Sequence, residues 1–368
     1  MPVSLAAPPR LVTRRAALAG ALAAPAILGG RPAHAAAELN ITAYDGFVPS
    51  SFRKQFESET GTQIRIRLAA SQAPELTLLT AERDHPLTDI CTVSNNRLHQ
   101  FVDNGIIESL DTARLSNWKR INPLYADADW NRVNGAVVGI PLVIGANVLV
   151  YNTQEVTPAP DSWGVMFDPK YNGRVTYDIE DFLQCTMLYQ GADPTFISYL
   201  SDRAAAVRAV NAARDMLIRY KSQVVRFFDE GAELEQLLTG GDAVLAMTYS
   251  PIPGKLILAG QPFRRVVPKE GTLAPVYTFA IVKGAPHRDA AYHFLDAMLG
   301  ASGMPAALAR SSGYTTSFVA AAAGLTAAEV AAYGLPAEAL GRIRFNRFEG
   351  QALSSDLIDR AVQEVKAA

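Results

Sequence analysis

Short apolar, β-branched runs alternate with segments of helical period along most of this chain. Leu39 to Ala43 reads as a strand, Val48 to Thr60 as a helix stopped by Gly61, and Gln63 to Leu68 as a second strand, together a βαβ opening. Thr88 to Val93 is a further strand with the polar exit loop Ser94-Asn95-Asn96, and Leu98 to Asn104 a helix ended by Gly105. Val137 to Pro141 and Val148 to Tyr151 read as strands meeting near Gly145, a place for the chain to cross from one lobe to another. This alternation predicts an α/β protein with mainly parallel sheets.

The second half continues the pattern. A strand at Arg174 to Tyr177 leads into a helix at Asp178, Ala204 to Tyr220 is a long amphipathic helix, and Gly231 to Leu238 is another, closed by Gly240-Gly241. Ala243 to Thr248 returns as a strand. Arg265 to Val267, a turn at Pro268 to Gly271, and Tyr277 to Val282 bring the chain back toward the first lobe, and the alanine-rich tail from Leu325 to Ala368 is helical. No repeat of fixed period and no low-complexity linker interrupts this order.

The amino terminus has a different character. Arg14-Arg15 precedes the apolar run Ala16 to Gly30, and Ala33-His34-Ala35 has the small-x-small pattern of a cleavage site, so residues 1–35 read as a twin-arginine export signal. A run of about fifteen residues is short for a bilayer span, which needs about twenty. With no lipidatable Cys at the cleavage point, the mature chain is expected to be free in the periplasm without direct membrane insertion. Removing that segment deletes four arginines and no acids, taking the formal net charge from −2 to about −6. A mildly acidic surface argues against nucleic acid or anionic membrane as partner. At roughly 330 mature residues two lobes are expected. Cys91 and Cys185 could pair in an oxidising compartment, but both sit in apolar contexts and in different expected lobes.

In the order of its segments the chain resembles the periplasmic solute-binding proteins of ABC importers, in the spermidine/putrescine-binding branch. The resemblance rests on Phe47-Val48-Pro49, Gly139-Ile140-Pro141 with Gly145-Ala146, Ser162-Trp163, Asp168 to Gly173, Thr176 to Gln184, Pro268 to Gly271, and Gly313-Tyr314-Thr315. It implies a two-lobed periplasmic binding protein fold of type II, with a hinge between lobes, a ligand cleft at their interface and an inner-membrane ABC permease as partner. The expected lobes are 36–142 with 270–310, and 146–265 with 313–368. The implied function is capture of a small cationic ligand, a polyamine such as putrescine or spermidine, by a monomer.

A protonated amine leaving water must meet carboxylates or aromatic faces. Asp178 and Asp181, three residues apart at a strand exit, align with the two carboxylates that grip an amino group in polyamine binders. They also have the spacing of a helix-capping pair, and the two roles can coexist. The resemblance further implies ligand contacts from Tyr44, Asp45 and Phe47 at the first strand exit, and from Asn96, Tyr249, Tyr277, Tyr314 and Asn346, with Phe345-Asn346 closing over the ligand. Asp45 stands where the family has a hydroxyl, and is equally read as an Asx turn. Pro275 and Tyr277 replace a tryptophan and a third carboxylate. That departure opens an alternative, a zwitterionic or amino-acid-like amine, for whose anionic end Arg97 is a candidate against its default reading as a solvent-facing cation.

An enzyme finds little support: G-x-S-x-G, H-E-x-x-H, Walker and G-x-G-x-x-G patterns are all missing. His85, His99, His287 and His293 have no metal-like spacing, His293 reads as a core residue, and the adjacent tyrosine pair of ferric-ion binders does not occur. No cofactor is expected. A sensor module that docks on a membrane partner without transport is a further alternative that the same fold permits.

Overall fold

The computed structural model describes residues 38–249 and 251–368. The expected export signal, with its Arg14-Arg15 pair, lies outside the described residues. From Glu38 onward the chain builds two sheets. One has six strands in the order Thr315–Thr316, Ile140–Ile144, Val276–Ile281, Ile90–Ser94, Glu38–Ala43, Gln63–Leu68; the other has five, in the order Phe263–Val266, Val148–Asn152, Leu245–Thr248, Val175–Tyr177, Val224–Phe227.

Each sheet is mixed, which corrects the expectation of mainly parallel pairing. Glu38–Ala43 runs parallel to its two neighbours, as does Val175–Tyr177 to its own. The remaining pairings are antiparallel, because they involve strands that arrive from the other lobe or lead to it. The inner strands of the first sheet are buried, with Leu39, Ile90, Val93, Val143 and Phe279 fully enclosed, as strands covered on both faces require, while the edge strand Gln63–Leu68 is largely exposed. A second core gathers Trp163, Phe182, Val175, Leu217, Leu245 and Met247 under the other sheet.

Three passages of the chain connect the two sheets. Ile140–Ile144 in the first sheet passes through Gly145 to Asn147 into Val148–Asn152 of the second. The returning segment runs beside it: Gly145 N donates to Pro275 O at 3.0 Å, and Asn147 N to Leu273 O at 2.9 Å. Thr272–Leu273 also pairs in parallel with Ile343–Arg344, a third passage of the chain. Backbone hydrogen bonds thus tie three passages of the chain into one narrow ribbon between the sheets.

The expected lobe boundary at 313 needs correction. Thr315 and Thr316 pair with Ile144 and Val143 in the first sheet, and Phe318 bridges to Ile121. The chain leaves for the second lobe only afterwards, where the helix Ala327–Tyr333 packs on Ile252–Leu258. Two other expectations fail. His293 is exposed on the helix Arg288–Gly300, its ring 5.3 Å from that of Phe56, rather than in the core. Phe345 packs against Tyr125 and Trp130 of the first core, at 5.8 and 6.0 Å between ring centroids, rather than among the cleft-lining residues. Cys91, in the strand Ile90–Ser94, and Cys185, in the helix Ile179–Tyr189, are both free and buried, one in each core.

Candidate functional site

Between the sheets lies a cleft of about 1000 Å³. It opens at the carboxyl ends of the parallel strands, where α/β sheets leave a crevice for ligands. Tyr44, Asp45 and Phe47 follow Glu38–Ala43, and Asn96 follows Ile90–Ser94; Asp178 and Asp181 follow Val175–Tyr177, and Tyr249 follows Leu245–Thr248. Tyr277, Tyr314 and Asn346 complete the lining from the segments that return through the crossings. The structure therefore brings all of the candidate residues to one cavity, including pairs more than 250 positions apart.

One wall is acidic. Asp178 is the N-cap of the helix Ile179–Tyr189, its Oδ1 accepting from the Asp181 backbone N at 3.0 Å, so the capping role and a place in the cleft coincide. Burial, then the Asp178 charge and then that of Glu180, raise the carboxyl of Asp181 far above the ordinary range. Burial raises Asp178 as well. Glu180, the most exposed of the three, is raised by the desolvation that the cleft walls impose and then by Asp178. Among the described residues no ion pair engages any of the three. Carboxylates crowded together with no ion-pair partner resist ionising, since each loses water to its surroundings and repels the next.

The facing wall is aromatic. The rings of Tyr44, Phe47 and Tyr277 lie 5.5 to 5.6 Å apart, edge to face, and Tyr314 stands 6.3 Å from Tyr277. Phe47 is buried behind the others, whereas Tyr249 projects from the acidic side and is 39% exposed. Burial pushes the hydroxyls of Tyr44 and Tyr249 up to about 12, so these phenols stay neutral and offer both lone pairs and ring faces. The shape of this side depends on Gly46, whose φ of +78° and contact with the 311–312 backbone admit no side chain.

Several lining residues were not legible as such in the sequence. Glu180 lies between the two aspartates, and nothing in its spacing marks it as a cleft residue. Gln72 belongs to the helix Gln72–Ala81, whose Ser71 cap and first-turn Pro74 were its available signals. Arg97 lines the cavity, which corrects the expectation that it faces solvent: a 3₁₀ turn over Asn95–Arg97 turns it inward, where Nη1 donates to Gln100 Oε1 at 3.1 Å. Asn346 contributes its backbone, whose O accepts from Asn95 Nδ2 at 2.5 Å.

The profile of a family described as bacterial extracellular solute-binding protein matches residues 51–337. The chain belongs to this family. A putrescine/agmatine-binding protein of Pseudomonas aeruginosa is 22% identical over 298 residues, covering 74% of each chain. A spermidine/putrescine-binding periplasmic protein of Haemophilus influenzae is 23% identical over 284 residues, covering 73% of each. Among solved structures, a spermidine/putrescine ABC transporter substrate-binding protein of Streptococcus pneumoniae superposes with a TM-score of 0.75 at 18% identity, covering 89% of this chain and 99% of that one. The fold is thus that of the type II periplasmic binding proteins, and the family is one of solute binders found outside the cytoplasm. No described helix is long and apolar enough to cross a membrane.

Proposed function

We propose that this chain is the solute-capturing component of an ABC importer, exported by the twin-arginine route to work in the periplasm as a binder rather than an enzyme, and that its cleft takes a small organic cation of the polyamine kind. The observation that carries the reading is the acidic wall: Asp178 and Asp181 half-buried, Glu180 beside them, none with a cationic partner among the described ion pairs, and tyrosine rings opposite. An ammonium group supplies the missing charge, satisfies carboxylate lone pairs that solvent reaches poorly, and gains cation–π attraction of about 0.5 to 2 kcal/mol from each ring it lies over. The names of the relatives point to the same chemistry.

The test is calorimetry and thermal shift with putrescine, cadaverine, agmatine and spermidine. An amine at 100 times its dissociation constant should add about 2.7 kcal/mol of stability. Asp178→Asn should weaken binding by about 1 to 3 kcal/mol through loss of a charge-assisted hydrogen bond. Its melting temperature should not fall, because Asn caps a helix as well as Asp does and removes a carboxyl whose ionisation burial disfavours. No response to any amine, or undiminished affinity in this variant, rejects the reading.

A second reading, an amine with an acidic group at its far end, is favoured by Arg97, which enters the cleft and has no carboxylate partner among the described ion pairs. Under it, Arg97→Gln lowers affinity for a linear amino acid such as 4-aminobutanoate about tenfold and leaves putrescine unaffected. Equal effects on both ligands reject it.

A further inference from the structure

Behind the aromatic wall one series of hydrogen bonds runs from Tyr44 through Gln72 to the Ser94 backbone, and a second from the Ser94 hydroxyl through Asn96 to Gln351. Gln72 Oε1 accepts from the Ser94 backbone N at 2.9 Å. Since a backbone N–H can only donate, the side-chain amide has a single possible orientation. Its Nε2 then faces three acceptors: the Tyr44 hydroxyl at 2.9 Å, Thr92 O at 3.1 Å and Glu75 Oε2 at 3.2 Å. Two N–H bonds serve three acceptors, so a stronger pull by one weakens the others.

Glu75 sets that balance. It is 3% exposed and its Oε1 has no hydrogen-bond partner. Burial pushes its carboxyl up to about 8; as a neutral acid it still accepts from Gln72 Nε2 through Oε2 and so keeps the amide in place.

The second series starts at Ser94. Ser94, 6% exposed, donates its hydroxyl to Asn96 Oδ1 at 2.8 Å. Asn96 Nδ2 in turn donates to Gln351 Oε1 at 2.7 Å. Gln351 lies in the first turns of the helix Phe348–Ala367, which packs on Arg203–Arg219 and Ile179–Tyr189 in the second lobe. The Asn96–Gln351 bond is therefore a clasp between lobes, flanked by the His99 and Phe348 rings stacked at 5.5 Å.

We propose that Gln72 is a positioning residue which links the Tyr44 hydroxyl on the cleft wall to the Asn96–Gln351 clasp, with buried Glu75 holding Gln72 in place. Its use in coupling ligand arrival to lobe closure rests on the cleft being the solute site; the link itself is a property of the protein before any ligand arrives.

Amide hydrogen exchange on the ligand-free chain tests it. Gln72→Leu should speed exchange over residues 351–355 about fivefold, Gln351→Leu should do the same, and the double variant should add nothing further. Tyr44→Phe should raise the same amides about twofold. Glu75→Gln, which keeps a neutral polar partner, should match wild type, whereas Glu75→Leu should behave like Gln72→Leu. Exchange in the helix Arg288–Gly300 of the same lobe as Gln72 should not change. Unaltered exchange at 351–355 in Gln72→Leu, additive effects, or a uniform rise that includes 288–300 each overturns the proposal. Putrescine titration of wild type is a separate arm: no binding there defeats the cation reading and leaves the link standing.

Discussion

Asp181→Asn is expected to move stability and affinity in opposite directions. In the ligand-free protein the Asp181 carboxyl is raised by burial and by its neighbours Asp178 and Glu180. A raised acid pKa means that the unfolded chain ionises first. Nothing is lost below the ordinary carboxylate pKa; the fold weakens progressively as pH rises from there to the raised value, and the loss is complete above it. Asparagine removes the penalty, so the variant should be the more stable near neutral pH by about 1 kcal/mol or more, because moving a carboxyl pKa by one is worth about 1.4 kcal/mol and this one is raised further than that. The gap should close as pH falls below about 4. Amine affinity should fall by about 1 to 3 kcal/mol in the same variant, because the charge-assisted bond is gone. In wild type the ammonium must meet ionised carboxylates, so affinity should decline on acidification through that window, and binding should release protons. Urea unfolding at several pH values, with calorimetry in buffers of different ionisation enthalpy, reads all of these. A variant both less stable and equally tight would show that Asp181 is a structural acid with no ligand to meet.

Gly46→Ala should be the most damaging single methyl in the first lobe. The residue has φ +78°, and a Cβ there would stand 2.1 Å from Ser311 O and 2.6 Å from its carbonyl carbon, both backbone atoms. The Ser311 hydroxyl also donates to Gly46 O at 2.6 Å, fastening the strand exit to the helix Met304–Ser312. Left-handed strain alone costs about 1 to 2 kcal/mol; with the clash the total should reach about 3 kcal/mol or more. Gly61 makes the comparison clean, since its φ is +71° and nothing lies within 4 Å of its Cβ position. Gly61→Ala should therefore show the strain alone, about 1 kcal/mol. Because Gly46 sits between Tyr44 and Phe47, its displacement should also lower amine affinity, which Gly61→Ala should leave intact. Denaturant melts of the two variants side by side decide it: equal losses would mean that the 311–312 backbone yields freely.

Local features were readable in advance because the forces behind them act within a few residues. Asp178 ahead of an apolar helical period announced a cap, and Oδ1 does accept from the amide three residues on. Strand exits followed by Tyr44-Asp45, Ser94 to Asn96, and Asp178 marked the cleft rim, since side chains there leave the sheet's hydrogen-bond ladder and face the crevice. The crossing at Gly145 was visible as a break between two β-branched runs.

What the amino-acid order determined by itself, then, is the succession of elements, their caps and the residue types at each strand exit, all written in short-range period and backbone preference. The tertiary structure decided the rest. It turned Arg97 inward and sent Phe345 into a core with Tyr125 and Trp130. It kept Thr315–Thr316 in the first sheet and set Gln72 between Tyr44 and Glu75. Each of these depends on groups far apart along the chain, up to the 251 positions that separate Asn95 from Asn346. Such contacts form only when two lobes pack, and packing answers to shape and the pairing of buried polar groups, which no local window of residues contains.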